Sequence, residues 1–162
     1  MQLAQLNIAE ARFETDAPEM SGFTGRIDAI NALADRAPGF VWRLTDEGPE
    51  DGALSLRMEG LGASTLVNMS VWDNIESLFH FVYKTAHTKV MREERPTFNR
   101  IPTEHMVLWW IKDGHIPTLS EAEAKLNMIR AKGSTPAAFS FAVPFNEKGQ
   151  AITPQFPKKD CA

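Results

Sequence analysis

The chain has 162 residues, of which 43% are hydrophobic and 23% are charged, as in a single globular domain. Its net charge of -4 argues against nucleic acid as a partner, because an acidic surface repels phosphate backbones. No apolar run approaches the ~20 residues of a membrane span, and the first residues lack the pattern of a signal peptide. The single cysteine, Cys161, cannot close a disulfide within the chain, so we expect a cytoplasmic protein.

Hydrophobic periodicity predicts a mixed α+β domain. Alternation at every second residue is typical of a strand, and apolar side chains three or four residues apart are typical of a helix. The predicted strands are residues 2–8, 40–45, 65–72, 104–112 and 138–144, and the predicted helices are residues 18–38, 73–94 and 118–133. We therefore expect one domain over residues 1–145, followed by a polar, mobile tail over residues 146–162.

Local signals predict where the two later helices begin and end. Asp73 with Glu76, and Thr118 with Glu121, have the spacing of a capping box, and Gly133 is a typical helix end. Residues 46–62 are rich in Gly, Asp and Glu, which predicts an exposed loop with a short strand at 54–58. The pattern leaves open whether this loop closes over a cavity.

The order of the first six elements, β-α-β-β-α-β, matches a ferredoxin-like split βαβ sheet with its helices on one face. The strand patterns place Trp72 or Trp109 on the face that two helices leave uncovered. Exposing such a ring is unfavourable by roughly 25 cal/mol for each Å2 of apolar surface. We therefore expect a homodimer in which two sheets pack face to face and share a barrel-like core.

Four segments resemble a known family. They are VWDNIESLFHFVYKTAH from residue 71, ERPTF from 94, LWWIKDGHIPTLSEAEAKL from 108 and GSTPAAFSF from 133. Together they resemble the domain-of-unknown-function 3291 family of the dimeric α/β-barrel superfamily, over residues 3–145. The superfamily includes cofactor-independent antibiotic-biosynthesis monooxygenases, haem-degrading monooxygenases, haem dehydratases and small-molecule-binding proteins. The resemblance therefore implies the fold and leaves the activity open.

Asn68 and Trp72 are the first candidate catalytic pair. A spacing of four on a strand directs both side chains to the same face, where an amide and an indole N–H can hold an oxyanion. The N-x-x-x-W spacing resembles that of monooxygenases of polyketide quinone pathways, and Arg92 resembles an arginine that those enzymes carry further along the chain. The alternative is that Asn68 bonds to backbone in the interior and Trp72 only packs.

His80, Tyr83 and His87 are three and four residues apart, so they share one face of the predicted helix. We expect that face at the rim of a cavity between helix and sheet, where a neutral imidazole can act as a base or ligate haem. His87 resembles the haem-ligating histidine of haem-degrading relatives, and Asn7 resembles their strand-one asparagine. Those relatives carry a tryptophan where this chain has Ser77. A surface or hydrogen-bonded role is the alternative for each histidine.

Three further residues are candidates for substrate binding or charge pairing. Arg92 and Arg95 are suited to an anionic substrate or enolate, although a solvated last helical turn explains them equally well. Trp109 is a candidate substrate-binding residue, with a core role for it and Trp110 as the alternative. No histidine and carboxylate cluster has the spacing of metal ligands, so we expect no metal.

The leading hypothesis is a homodimeric enzyme that binds a hydrophobic aromatic or polyketide-like molecule and oxygenates it without a cofactor, as in secondary metabolism. Related proton-transfer or cyclisation chemistry fits the same residues. Asn68 and Trp72 would hold an oxyanion, His87 or Tyr83 would move the proton, and Arg92 would pair with anionic charge. Two alternatives stay open, namely haem binding with His87 as ligand and a non-enzymatic small-molecule-binding protein. The sequence identifies no particular substrate.

Overall fold

The computed structural model describes residues 1–45, 58 and 61–153 of the chain. The strands are β1 (Gln2–Ala11), β2 (Phe40–Arg43), β3 (Thr65–Trp72), β4 (Phe98–Asn99) and β5 (Met106–Ile111). The α-helices are α1 (Ser21–Thr24), α2 (Ile27–Asp35), α3 (Ile75–Lys84), α4 (Ala86–Glu94) and α5 (Leu119–Lys132), with 3-10 turns at Pro18–Met20 and Arg95–Thr97. Within those residue ranges, no helix is long and apolar enough to cross a membrane.

The five strands form one antiparallel sheet in which β1 is central. Strand β1 pairs with β3 along one edge, and β3 pairs with β2. Along its other edge β1 pairs with β5 from Gln2 to Asn7 and with the short β4 at Glu10 and Ala11. The main strand order is therefore β2-β3-β1-β5, as in a ferredoxin-like split βαβ sheet, and the predicted fold class is confirmed.

Helices α2 and α3 cover one face of the sheet. On that face Leu3, Trp72 and Leu108 belong to one buried cluster with Ala34 of α2 and Leu78 of α3. These five residues are at most 7% exposed. The residues that alternate with them on the strands point to the opposite face.

Helix α5 covers that opposite face within the same chain. Val67, Met69 and Trp109 pack in one cluster with Leu126 and Ile129 of α5. Trp109 is only 1% exposed in the isolated chain. We expected a second copy of the chain to bury this face of the sheet, but α5 buries it within the same chain. The exposed tryptophan is therefore no longer a reason to expect a homodimer. The homodimer stays a prediction that rests on the family resemblance.

The long helix predicted over residues 73–94 is wrong, because it is interrupted at Thr85. The Thr85 backbone is extended (φ -113°, ψ -175°), and its Oγ1 accepts a hydrogen bond from the backbone N–H of His87 at 3.2 Å. The same hydroxyl donates to the carbonyl oxygen of Phe81 at 2.6 Å. One threonine therefore ends α3 and caps α4, which is a favoured role for a short hydroxyl side chain.

Three other predicted segments differ in the structure. The helix predicted from Pro18 is divided into a 3-10 turn, α1 and α2. The strand predicted at 138–144 is reduced to isolated bridges, among them Leu108 with Phe139. Part of the predicted tail folds back, since the N–H of Ile152 donates to the carbonyl oxygen of Pro144 at 3.0 Å. Residues 46–57, 59–60 and 154–162, with the strand predicted at 54–58 and Cys161, lie outside the described residues apart from Met58.

The N-cap of α3 is Asn74 rather than the predicted Asp73. The Asn74 side chain accepts a hydrogen bond from the backbone N–H of Ser77 at 2.8 Å. We expect Asn74→Ala to lower the free energy of unfolding by about 1 kcal/mol. Asp73→Ala is the matched control and should cost clearly less, because Asp73 is exposed and has no side-chain cap bond. Urea denaturation of both variants measures the difference, and equal losses would contradict the assignment.

Candidate active site

A cavity of about 80 Å3 lies between the sheet and helices α2, α3 and α4. Five of the predicted site residues line it, namely Asn7, Asn68, Trp72, Tyr83 and His87. The strand residues form its floor and the helical residues form its wall. The structure therefore brings the two sequence-predicted groups, one from a strand and one from a helix, to a single site.

Four predicted site residues do not line this cavity. His80, Arg92 and Arg95 are exposed on the helical layer, and Trp109 lies on the opposite face of the sheet. The interruption at Thr85 explains why His80 lies outside the cavity. His80 and His87 belong to different helices, so they share no helical face. The alternation of side chains along β5 explains why Trp109 points away from the cavity. On the opposite face, its indole N–H donates to Glu121 Oε1 at 2.8 Å.

A chain of hydrogen bonds crosses the cavity floor, and we call it the floor relay. The indole N–H of Trp72 donates to Ser70 Oγ, and Ser70 Oγ donates to Gln5 Oε1, each at 2.9 Å. Gln5 Nε2 then donates to Asn7 Oδ1, also at 2.9 Å. Sequence analysis did not identify Gln5 or Ser70 as site residues. The predicted use of the Trp72 N–H as a direct oxyanion donor does not fit this arrangement, because that N–H already has an acceptor.

Asn7 and Asn68 stand directly opposite each other on β1 and β3, so both carboxamides point to the cavity side of the sheet. Asn68 is exposed and forms no side-chain hydrogen bond with the described part of the chain. It is therefore not the backbone-bonded interior residue that we considered as an alternative. Its amide is available to a ligand that enters the open side of the cavity.

His87 is held as a neutral imidazole beside the floor. Burial lowers the pKa of His87 below its usual value of 6.5, and a weaker hydrogen bond to the Val82 carbonyl oxygen opposes this shift. Its position in the first turn of α4 also disfavours a cation, since the N-terminus of a helix is the positive end of the dipole. Nδ1 lies 3.3 Å from the Val82 carbonyl oxygen, which requires the proton on Nδ1. The Nε2 lone pair is then free to accept a proton.

Aromatic rings enclose the histidine and the inner end of the cavity. The ring centroid of Phe81 lies 5.0 Å from that of His87 and 5.2 Å from that of Trp72. Tyr83 packs 4.5 Å from Phe79 and 5.6 Å from Phe141, measured between ring centroids. Phe81 therefore covers one side of the imidazole, and an apolar cover of this kind strengthens electrostatic interactions beside it.

Arg43 is a cavity residue that sequence analysis missed. It lies on β2 directly opposite Ser70, and its Nε is 3.0 Å from Asp35 Oδ1 at the end of α2. The sequence shows Arg43 within a predicted strand. The face to which its side chain points depends on a bulge between Phe40 and Trp42 that shifts the register of β2 against β3. Arg43 therefore lines the cavity, whereas Arg92, to which we had assigned the cationic role, does not.

The family model for DUF3291, the domain of unknown function 3291, matches residues 2–155. The chain belongs to this family. The match confirms the resemblance over residues 3–145 that the four sequence segments indicated. The family description itself names no activity, and no curated protein matches the sequence.

Solved structures with similar folds include two of SnoaB, a cofactor-independent oxygenase from Streptomyces nogalater. One has 14% identity and a TM-score of 0.47, covering 69% of this chain and 94% of that chain. A single-residue variant of it has 15% identity and a TM-score of 0.47, covering 72% and 98%. A protein of Chloroflexus aurantiacus J-10-fl, named for antibiotic biosynthesis monooxygenases, has 17% identity and a TM-score of 0.40, covering 71% and 97%. Likenesses at this level do not determine what this chain does.

Proposed function

We propose that the protein is an enzyme that deprotonates a hydrophobic aromatic or polyketide-like small molecule and oxygenates it without a cofactor. The observation that supports this function is a neutral, mostly buried His87 in the same cavity as the amides of Asn7 and Asn68. A base beside amide hydrogen-bond donors is the minimum that a phenol or enol needs to form a stabilised anion.

Four of the cavity residues have distinct parts in the proposed reaction. His87 Nε2 accepts the proton of the substrate, and Asn68 donates a hydrogen bond to the oxyanion that forms. Arg43 adds positive charge on the same side, moderated by its ion pair with Asp35. Trp72 acts indirectly, since its N–H bonds to Ser70 and its ring packs 5.4 Å from Phe40.

Oxygen itself is the oxidant in this proposal. The substrate anion transfers one electron to O2, and the resulting radical pair combines to form a C–O bond. The peroxide anion takes back the proton held by His87, and loss of water from the resulting hydroperoxide leaves a carbonyl group, so one oxygen atom enters the substrate and the other leaves as water. The protein supplies the base, the anion donors and a water-poor cavity, and the electrons come from the substrate.

The size of the cavity limits how the substrate enters. An apolar cavity of about 150 Å3 admits benzene, and the present volume of about 80 Å3 is roughly half of that. Two methionines line the cavity, Met91 and Met106, and unbranched methionine side chains adapt easily to a ligand. We infer that Met91 and Met106 move aside to admit the reacting ring alone, while the rest of the molecule stays at the open side near Asn68.

Haem does not fit the residues that line this cavity. A haem-ligating imidazole needs an open slot for the macrocycle beside it, and a rigid macrocycle cannot enter a small cavity one ring at a time. The space beside His87 is about 80 Å3, and Phe81 packs directly on the imidazole. The alternative of His87 as a haem ligand is therefore not supported by this geometry.

We expect Asn68→Ala to lower the rate of oxygen consumption by about 10²–10³-fold, the usual loss for one oxyanion donor, while the melting temperature changes little. The stability should hold because Asn68 is exposed and its side chain has no hydrogen-bond partner among the described residues. Oxygen uptake with an anthrone or an aromatic hydroquinone measures the rate. Asn99→Ala is the matched control, since Asn99 is exposed on β4 and lies outside the cavity.

The same experiment separates catalysis from plain ligand binding. If the wild-type protein binds the aromatic probes but consumes no oxygen with any of them, the non-enzymatic alternative replaces the proposal. If Asn68→Ala consumes oxygen as fast as the wild type, the anion-holding role of Asn68 is wrong.

A further inference from the structure

The floor relay has a direction, and its first residue sets that direction. An indole N–H can donate a hydrogen bond and cannot accept one. Ser70 Oγ therefore accepts from Trp72, and its own hydrogen must go to another acceptor. In the described part of the chain, the other group bonded to Ser70 Oγ is the side chain of Gln5. Gln5 must then turn its carbonyl oxygen toward Ser70.

The orientation of Gln5 decides the orientation of Asn7 in turn. With Oε1 toward Ser70, the NH2 group of Gln5 faces Asn7, so Asn7 accepts with Oδ1. The NH2 group of Asn7 is left to point away from the relay. The reverse arrangement would leave the Ser70 hydroxyl hydrogen without an acceptor at a site only 7% exposed, which is energetically costly.

We infer that the floor relay from Trp72 through Ser70 and Gln5 fixes the Asn7 carboxamide as a hydrogen-bond donor to the cavity, and that it selects ligands with an anionic or carbonyl oxygen at that position. Trp72, Ser70 and Gln5 are positioning residues, since they act through Asn7. The inference deepens the proposed function, because it rests on the same cavity and specifies which ligand group the cavity accepts.

Burial explains why the direction persists. Trp72, Ser70 and Gln5 are 1%, 7% and 6% exposed, so water does not compete for their hydrogen bonds. All four relay residues line the cavity, and Asn7, at the end of the relay, is the least buried of them. Chains of buried hydrogen bonds also polarise one another, which strengthens the donor at the free end. Asn68, directly across from Asn7, supplies a second amide whose orientation no bond in the described chain fixes.

The first test measures direction without any ligand. Hydrogen exchange of side-chain amides, followed by NMR on 15N-labelled protein, should find the Gln5 NH2 protected and the Asn7 NH2 unprotected. The opposite pattern in the wild-type protein would overturn the inference. Trp72→Phe removes the donor that sets the direction, and Ser70→Ala removes the middle of the relay with less change in packing. Protection of the Gln5 NH2 should be lost in both variants.

The second test measures selection with two probes of equal size, 4-nitrophenolate as an acceptor and 4-nitroaniline as a donor. In alkaline buffer that ionises 4-nitrophenol, the ratio of their affinities should fall by about tenfold or more in Trp72→Phe and Ser70→Ala, as expected for one charge-assisted hydrogen bond. Trp110→Phe is the matched control. It removes an indole N–H that donates to the Phe145 carbonyl oxygen, outside this cavity, and should keep the wild-type ratio.

The outcomes separate this inference from the proposed function. An unchanged ratio in both relay variants would overturn the selection by Asn7. The protein could also show the expected protection of the Gln5 NH2 and yet bind neither probe. That result would support the direction of the relay but would remove the ligand site, on which both the selection by Asn7 and the proposed function depend. Using both Trp72→Phe and Ser70→Ala keeps the test valid if one variant fails to fold.

Discussion

His87→Gln should lower kcat for oxygen consumption by about 10²–10⁴-fold, the usual contribution of a general base. Glutamine can replace the Nδ1 hydrogen bond to the Val82 carbonyl oxygen but cannot accept a proton at neutral pH. The fold should survive, because the Thr85 cap of α4 uses the backbone N–H of residue 87 and not its side chain. His80→Gln is the matched control, since His80 is exposed and outside the cavity.

The pH dependence of the wild-type protein provides an independent check on His87. In the proposed reaction the neutral imidazole is the base, and burial lowers the pKa of His87 below 6.5. The value of kcat/KM should therefore be constant near neutral pH and fall as the pH decreases through a pKa below 6.5. An inflection above 6.5, or a retained inflection in His87→Gln, would contradict the assignment.

The same pKa shift has a consequence for stability. The unfolded chain binds a proton at His87 near its ordinary pKa, whereas the folded protein resists it until the pH is lower. The contribution of neutral His87 to the free energy of unfolding is thus present above the ordinary pKa and is lost as the pH falls through the folded pKa. Urea denaturation at several pH values should give a smaller decrease in His87→Gln than in the wild type over this interval.

The sheet could be predicted from the sequence because strand alternation is a local property. Asn68 and Trp72 point to the same face and both line the cavity, as their spacing of four predicted. The same rule separates Trp109 from them once the register of β5 against β1 is known. Without that register, nothing in the pattern indicated which face of each strand the helices cover.

The helical half of the site could not be predicted as well, for a physical reason. The region from 73 to 94 has continuous helical periodicity, and the hydroxyls of Thr85 and Thr88 bond to carbonyl oxygens of Phe81 and Val82 where the chain changes direction. A threonine inside a helix is a weak signal, because its hydroxyl can bond to the preceding turn without ending the helix. Arg43 was missed for a similar reason, since a one-residue bulge in β2 decides its direction.

The prediction of a homodimer rested in part on the burial of Trp109, which α5 provides in the structure. An exposed tryptophan is energetically costly, but the pattern of residues 118–133 predicts a helix without indicating which face of the sheet it covers, and α5 buries Trp109 within the same chain. The indole N–H of Trp109 donates to Glu121 Oε1 in the first turn of α5. The other oxygen, Glu121 Oε2, lies 2.7 Å from His115 Nε2. These contacts connect residues far from the cavity and account for the packing of α5.

Gly39→Ala should lower the free energy of unfolding by about 2–5 kcal/mol, combining left-handed backbone strain with overpacking. Gly39 has φ +78°, and an added Cβ would overlap Ser77 Oγ and lie 2.7 Å from Ser77 Cβ. The carbonyl oxygen of Gly39 also accepts the N–H of Asp73 at 2.7 Å, so the backbone has little freedom to move away. The entry to β2 is thus held tightly against the first turn of α3.

Gly114→Ala is the control that separates strain from crowding. Gly114 has the same φ of +78°, but an added Cβ meets no described atom within 4 Å. We expect it to cost only the backbone strain of about 1–2 kcal/mol. Urea denaturation of Gly39→Ala, Ser77→Gly and the double variant then measures the coupling between the two sites. Equal losses in the two alanine variants, or no recovery in the double variant, would show that contact with Ser77 is not the reason for glycine at position 39. Since β2 carries Phe40 and Arg43, a loosened entry to this strand should also weaken probe binding in the cavity.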